Sequence, residues 1–211
     1  QMSERNRVGT IRVINGPIVT IDLPGVRNGE QVKIGELGLF GEVISLAGKE
    51  AIVQTYESTD GVRPGEPAVG LGWPLSVELG PGLLGGIFDG VQRPLEKIAL
   101  ESGDYIRRGL DVPALDRSRT WEFEPSPELE PGVKVGPGTV LGRVQETETI
   151  EHRIMVPPGI AGELEELAPG GDYDLESTIA HVRDERGHSH KLRLYHRWPV
   201  RKPRPYRKRD D

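Results

Sequence analysis

The chain has 211 residues, a net charge of −6 and no cysteine, which excludes a disulfide framework and a thiolate metal site. No apolar run approaches the ~18 residues of a membrane-spanning helix, and the N-terminal QMSERNRVGT lacks the apolar core of a signal peptide, so we expect a cytosolic protein. The 28 glycines and 18 prolines favour many short elements joined by turns, and therefore a mainly β fold.

Residues 7–79 contain successive short apolar stretches separated by turn residues. Alternation in GEVISL and EAIVQTY flanks Ala47-Gly48-Lys49, which predicts a β-hairpin. Strands at spacings of about 8 to 12 residues with Gly and Pro turns predict a small closed barrel.

Residues 80–94, GPGLLGGIFDGVQRP, follow a predicted strand. Three glycines match G-x-G-x-x-G: Gly80, Gly82 and Gly85. In a dinucleotide-binding loop, such glycines let main-chain amides at a helix N-terminus face the pyrophosphate. Here Pro81 removes one donor, Gly90 interrupts any helix, and the surroundings are antiparallel in character. We therefore reject a nucleotide site at this loop.

Residues 83–102 form the segment with a helical pattern. Pro94 suits a first helical position, and Gly103 suits a C-terminal stop. The predicted apolar stripe consists of Leu95, Ile98 and Ala99.

From Asp104 onward the pattern returns to β, and RTWEFE, TVLGRV and HRIMVPP predict a second compact module. Its rhythm resembles the barrel-sandwich folds of lipoyl and biotinyl carriers. Those carriers need a lysine at a hairpin tip, and the loop region QETETIEHRIMVPPG has none. We therefore expect the shape of a carrier domain without its chemistry.

The C-terminal residues 191–211 hold nine Lys and Arg against two Asp, a net charge of +7, so the first 190 residues carry −13. A basic tail is typical of contacts with nucleic acid or anionic lipid. However, Pro199, Pro203 and Pro205 preclude a helix, and the acidic body repels phosphate backbones. We interpret the tail as a solvated, extended linker.

No catalytic constellation emerges from the residues. The phosphate-binding pattern G-x-x-x-x-G-K-[ST] is absent, and no serine stands in a G-x-S-x-G turn. Four histidines lie near one another in sequence: His181, His188, His190 and His196. An H-x-H pair on a strand could bind zinc, but the nearby acids Asp184 and Glu185 fall in a predicted turn, so we expect exposed edge or loop residues. We predict no catalytic, cofactor-binding or metal-binding residue in this chain.

Several motifs follow one another in a specific order. They are GLFGEVISLAGKEAIVQTYESTDGVRPGEPAV, LSVELGPGLLGGIFDGVQRPLEKI, VKVGPGTVLGRV, IMVPPGIAGELEELAPGGDY and LYHRWPVRKPRP. Together they resemble the N-terminal part of the catalytic (alpha) subunit of archaeal and vacuolar-type rotary ATPases, over nearly all of residues 8–205. The first resembles the barrel shared by the major subunits, and the second resembles the segment that leads to the nucleotide-binding domain. The others resemble the insertion peculiar to the catalytic subunit, the bulge or non-homologous region.

The resemblance implies four parts. These are a six-stranded β-barrel at 1–76, a connecting segment with one short helix at 77–110, a barrel-sandwich β module at 111–196 and a basic, Pro-rich linker at 197–211. A nucleotide-binding domain follows that linker in the family and is absent here, so ATP and Mg²⁺ are expected only in the full-length subunit. None of the family's catalytic residues maps onto this chain, which we expect to be inactive alone.

The resemblance also implies partners. The barrel joins the homologous non-catalytic subunit in a ring, the insertion contacts peripheral-stalk subunits, and the full catalytic subunit hydrolyses or synthesises ATP coupled to H⁺ or Na⁺. We expect the complex to lie peripherally on the cytoplasmic face of a membrane without insertion, and this chain by itself to be monomeric and not to bind nucleic acid. With the next domain absent, residues 83–93 should be partly exposed or mobile. Four apolar anchors would be covered in the full protein: Leu83, Leu84, Ile87 and Phe88.

Two alternatives stay open. One is a free-standing β-barrel binding module that contacts nucleic acid through the basic tail, although an aromatic content of 5% is low for base stacking. The other is a small-molecule enzyme that uses the histidine cluster.

Overall fold

The computed structural model describes residues 7–102 and 107–203, and the chain divides into two compact units. The first contains Gln1–Ser76, Leu95–Val112 and Pro199–Arg201, and the second contains Val77–Pro94, Pro113–Trp198 and Lys202–Asp211. The segment 77–110, predicted as one connection, is thus shared between the two units. The four-part division remains a prediction.

The first unit is built on a closed β-barrel, as the sequence predicts. Its strands are β1 (Arg7–Asn15), β2 (Ile18–Asp22), β3 (Glu30–Ile34), β4 (Leu39–Ala47), β5 (Glu50–Thr55) and β6 (Pro67–Pro74). They follow the order β1-β2-β5-β4-β3-β6 around the barrel, and every neighbouring pair is antiparallel. The predicted hairpin is confirmed, because Ala47 pairs with Glu50 across a turn in which Gly48 has a φ of 64°.

The barrel interior is filled by alternate residues of each strand. Val19 and Ile21 of β2 and Val32 and Ile34 of β3 are all fully buried. Successive strand side chains point to opposite faces, so the intervening residues face outward. Burial of each such aliphatic side chain stabilises the fold by roughly 1.5–3 kcal/mol.

The described residues contain one helix, α1 (Leu95–Ser102). Ile98 of the predicted stripe is buried, whereas Ala99 is exposed. Residues 83–94 are not helical, which corrects the sequence prediction for this part of the segment. The predicted stop, Gly103, lies outside the described residues.

The second unit is a sandwich of two four-stranded sheets, with the orders β11-β10-β8-β13 and β15-β14-β12-β9. The strands are β8 (Thr120–Pro125), β9 (Lys134–Val135), β10 (Val140–Gln145), β11 (Glu151–Met155), β12 (Gly162–Leu167), β13 (Gly171–Asp174), β14 (Thr178–Arg183) and β15 (Ser189–Arg193). Phe123 and Leu141 from the first sheet meet Leu164 and Val182 from the second in one core. The predicted barrel-sandwich module is therefore present.

Two further strands, β7 (Ser76–Leu79) and β16 (His196–Pro199), pair with each other in a separate sheet. The end of β7 leads directly into Gly80. A Cβ atom on Gly80 would lie 2.6 Å from the Cβ of Tyr195, so glycine lets these two chain segments approach closely.

Candidate interaction site

Residues 80–94, named here the glycine-rich segment, belong to the second unit. Gly82 has a φ of +102°, a conformation that residues with a side chain rarely adopt. A Cβ on Gly82 would also lie 3.1 Å from the ring of Trp121. Both the backbone conformation and the close packing therefore require glycine at this position.

The amides of the glycine-rich segment bind an anion, but the anion belongs to the protein. Oε1 of Glu146 accepts hydrogen bonds from the main-chain N–H of Gly82 at 2.7 Å and of Leu84 at 3.1 Å. Main-chain amides that converge on one site form a concave nest for negative charge. The loop thus has the amide geometry of a phosphate cradle, and a carboxylate fills it.

Glu146 follows β10 directly, and its side chain is only 4% exposed. Its second oxygen, Oε2, lies 3.2 Å from Nδ1 of His152. Val144 of β10 pairs with His152 of β11, so alternation places Glu146 and His152 on the same face of this hairpin. The hairpin therefore supplies both the carboxylate that fills the nest and the imidazole beside it.

A second carboxylate, Asp89, organises the other half of the segment. Its Oδ1 accepts hydrogen bonds from the amides of Val91 at 3.0 Å and Arg93 at 2.8 Å, and its Oδ2 accepts one from Nε of Arg93 at 2.7 Å. Burial raises the pKa of Asp89, but the hydrogen bonds from Arg93 outweigh burial and hold it below its usual value. Because these bonds close a local loop, the chain does not become helical before Leu95.

Gln92 attaches this loop to β7. It is the non-glycine residue with a positive φ, 64°, among those described. Its side-chain amide donates to the carbonyl of Glu78 at 2.8 Å and accepts from the N–H of Glu78 at 2.6 Å. The side chain thus bonds to the backbone of β7 as a neighbouring strand would.

Arg117 binds the base of the segment to the sandwich. Its Nη2 lies 2.6 Å from Glu78, its Nε lies 3.0 Å from Glu176, and its guanidinium stacks 4.4 Å from the ring centre of Tyr195. The Tyr195 hydroxyl donates to Glu176 at 3.0 Å. These contacts fix the position of β7 and hence the start of the glycine-rich segment.

The segment exposes part of its apolar surface. Leu83 packs against the sandwich core, and Phe88 is half-buried. Leu84 and Ile87 are 49% and 62% exposed. The prediction of partial exposure is therefore confirmed for these two side chains, and the described surface does not cover them.

The histidine cluster is explained by a turn. Nδ1 of His188 and Nε2 of His190 lie 3.4 and 3.0 Å from the same oxygen of Asp184. The other oxygen of Asp184 accepts hydrogen bonds from two main-chain amides of the turn. The side-chain hydrogen bond from His190 holds the pKa of Asp184 well below its usual range.

The remaining two histidines lie apart from that turn. His181 is 4.0 Å from Glu166, and His196 is on β16. Within residues 7–102 and 107–203, no group of three or more His, Asp or Glu side chains has the geometry of a metal site. Metal binding by this chain is thus left without a candidate among those residues.

The first unit contains a buried carboxylate at a different place. Glu42, on β4, has a side chain only 7% exposed and accepts two hydrogen bonds from Arg201, at 2.8 and 2.7 Å. The Tyr56 hydroxyl donates to Glu42 at 3.1 Å. Burial, followed by the charge of Glu42, raises the pKa of Tyr56 to about 12. A residue late in the chain is thereby bound to the barrel wall.

Sequence reasoning did not identify Glu146, Gln92 or Glu42. Glu146 lies in the acidic run QETET, which looks like solvated surface, and its amide partners lie 64 and 62 residues away. The glycine spacing was the available signal, because it predicts an amide nest without naming the anion.

Comparison with known proteins finds two adjacent domains of one family. The ATP synthase alpha/beta family, beta-barrel domain, matches residues 11–72. The barrel-sandwich domain of the ATP synthase alpha/beta subunits matches residues 112–201. The two matches coincide with the β-barrel and with the two-sheet sandwich.

Individual relatives are similar over almost the whole chain. The V-type ATP synthase alpha chain of Nitrosococcus oceani is 55% identical over 203 residues, 96% of this chain and 34% of the relative. The corresponding alpha-type protein of the A-type ATP synthase of Methanopyrus kandleri is 51% identical over 204 residues, with the same two shares. That of Pyrococcus horikoshii is 52% identical over 202 residues, 95% of this chain and 21% of the relative. The chain thus spans about a third of the length of these relatives, or less.

The helix of the described residues bears on membrane insertion. It is neither long nor apolar enough to cross a bilayer, and no other helix is described that could.

Proposed function

Because the chain belongs to the ATP synthase alpha/beta family and corresponds to the N-terminal region of a V/A-type alpha chain, we propose that it forms the non-catalytic N-terminal part of such a catalytic subunit. The observation that carries the proposal is the order of the domains: a six-stranded barrel followed by a barrel-sandwich module, each matched by its own domain of the family. The complete protein would be an ATPase or ATP synthase coupled to H⁺ or Na⁺.

The proposed roles of the two domains are binding roles. The barrel joins the non-catalytic subunit in the ring, and the sandwich contacts subunits of the peripheral stalk. A hetero-oligomeric head of this kind lies on the cytoplasmic face of the membrane. The 211-residue chain alone is proposed to be monomeric, because the ring contacts of the complete protein also involve the polypeptide beyond it.

Catalysis is assigned to polypeptide outside this chain. In the glycine-rich segment, the amides of Gly82 and Leu84 already bind Glu146, which supports the view that this loop does not hold a phosphate. The sequence also lacks G-x-x-x-x-G-K-[ST]. ATP and Mg²⁺ therefore belong to the complete protein, and no residue here is assigned to them.

The test compares the 211-residue chain with the complete gene product. We expect the complete protein to hydrolyse MgATP when mixed with the non-catalytic subunit and to co-purify with it. We expect calorimetric titration of the 211-residue chain with MgATP to give no binding heat. A complete gene product that neither binds the non-catalytic subunit nor turns over ATP would overturn the proposal, and so would saturable MgATP binding by this chain alone.

The alternative of a nucleic-acid module rests on the basic tail, whose residues 204–211 lie outside the described residues. An oligonucleotide titration at two salt concentrations separates the two functions. Binding that weakens steeply with salt supports the nucleic-acid module, because phosphate contacts release counterions. Flat titrations exclude it.

A further inference from the structure

An exposed apolar patch surrounds the buried carboxylate of Glu146. It consists of Leu84, Ile87 and Ile150, named here the nest patch. Their exposed fractions are 49%, 62% and 44%. All three belong to the second unit.

The hydrogen bonds place the patch residues around Glu146. Leu84 donates its N–H to Oε1 of Glu146 at 3.1 Å. Ile150 lies opposite Glu146 in the β10–β11 hairpin, and its carbonyl accepts from the N–H of Glu146 at 3.0 Å. Opposed residues of a hairpin point to the same face, so Ile150 and Glu146 share a face. Ile87 lies three residues beyond Leu84, after a turn closed by Gly86 N–H and the Leu83 carbonyl.

The nest patch is unusually free of charge for this protein. Charged residues form 28% of the chain, yet residues 79–88, LGPGLLGGIF, contain none. The single carboxylate beneath the patch is buried and accepts two amide hydrogen bonds. Depletion of charge with exposed aliphatic side chains distinguishes the core of a permanent interface from an ordinary solvated surface.

We propose that the nest patch is the docking surface for the polypeptide that follows residue 211 in the complete protein. The inference rests on the proposed function only in requiring that the polypeptide continue. The relatives support that requirement, because this chain spans 34% of the length of the Nitrosococcus oceani protein. The occupant is thus a covalently attached domain rather than a diffusing partner.

The path of the chain supports this occupant. β16, the last strand that the structure describes, pairs with β7, and β7 runs directly into the glycine-rich segment. Tyr195, just before β16, packs against Gly80. Whatever follows the described residues therefore begins beside the segment that carries Leu84 and Ile87, which gives it a high effective concentration at the patch.

Glu146 fixes the conformation in which the patch is presented. Its two hydrogen bonds hold the backbone at Gly82 and Leu84, and its second oxygen faces His152. A surface held in its bound conformation loses little conformational entropy on docking. Glu146 is thus a positioning residue for the patch.

The test is hydroxyl-radical footprinting of the 211-residue chain and of the complete protein, with per-residue labelling read by mass spectrometry. Met155 is the matched control: it is 40% exposed and alternates with Ile154, so it lies on the opposite face of β11. We expect labelling of the three patch residues to fall several-fold in the complete protein while that of Met155 stays the same. Equal labelling of the patch in both proteins overturns the inference.

A substitution pair gives an independent readout. Ile87→Arg should leave the unfolding midpoint of the 211-residue chain unchanged, because Ile87 is exposed there, and should lower that of the complete protein. Met155→Arg should change neither midpoint. A lowered midpoint for Ile87→Arg in both proteins shows a role within this chain and contradicts docking.

Two outcomes separate this inference from the proposed function. If the complete protein binds the non-catalytic subunit and hydrolyses ATP while the patch stays labelled, docking alone fails. If the patch is protected only after a partner protein is added, the occupant is that partner and the inference is overturned. A gene that ends at residue 211 overturns both and is read before any footprint is measured.

Discussion

The carboxylate of Glu146 accepts a hydrogen bond from the main-chain amide of Gly82 at 2.7 Å, across 64 residues of sequence. This bond joins the glycine-rich segment to the β10–β11 hairpin of the sandwich. It also explains why a loop with the spacing of a phosphate cradle has no room for a phosphate. The amide nest is complete, and its anion is a side chain of the same protein.

Replacing Glu146 with Ala should destabilise the second unit by about 3 kcal/mol, because two amides in a partly buried site lose their acceptor. Glu146→Gln keeps an acceptor oxygen and should cost less, about 1 kcal/mol. The measurement is urea unfolding followed by tryptophan fluorescence. Glu148→Ala is the control, since Glu148 is exposed on the same hairpin. Equal unfolding midpoints for Glu146→Ala and Glu148→Ala would show that the nest contributes nothing to stability.

Gly82→Ala should destabilise the protein by roughly 2 kcal/mol, since the backbone is strained at a φ of +102° and a Cβ would lie 3.1 Å from Trp121. Gly90→Ala provides the comparison within the same segment. Its Cβ would have no atom within 4 Å, and its φ is not in the positive range. Thermal unfolding should therefore separate the two variants. A similar loss for both would mean that neither φ nor packing decides the need for glycine.

Asp89 should contribute to the acid sensitivity of the fold. Its pKa is lowered in the folded protein, so its stabilisation is complete above the unfolded value of ~3.9 and is lost as the pH falls through the folded value. Asp89→Asn keeps a carbonyl acceptor but does not titrate. The unfolding free energy of the variant should therefore fall less steeply below about pH 4 than that of the parent protein. Asp172→Asn, at an exposed position on β13, should leave the acid slope unchanged.

Tyr56 should produce the opposite dependence at high pH. Burial and then the charge of Glu42 raise its folded pKa to about 12. A raised folded pKa means that the stabilisation is complete below the unfolded value of ~10 and is lost as the pH rises towards the folded value. Tyr56→Phe removes this titration, so its alkaline unfolding curve should be shallower than that of the parent. Tyr173→Phe serves as the control, because Tyr173 donates to a main-chain carbonyl rather than to a carboxylate. An unchanged slope for Tyr56→Phe contradicts the assignment.

Local features of the sequence were predictable where neighbouring residues decide the structure. The hairpin at Ala47-Gly48-Lys49 follows from alternation on both sides and a glycine that adopts a φ of 64°. The helical prediction for residues 83–94 was wrong for a local reason of another kind. Asp89 captures two amides, and Gln92 takes a positive φ to reach Glu78, and neither event leaves a signature in the hydrophobic pattern.

The sequence by itself determined the mainly β class, the barrel and the sandwich, because turn residues and strand alternation act over a few positions. It also determined the family, through motifs in a fixed order. Only the tertiary structure decided what the glycine-rich segment does, since its amides bind Glu146 more than 60 residues away. Partners at such separations depend on where two sheets and a turn come together, and no local pattern encodes that. The same holds for Glu42 and Arg201, which are 159 residues apart.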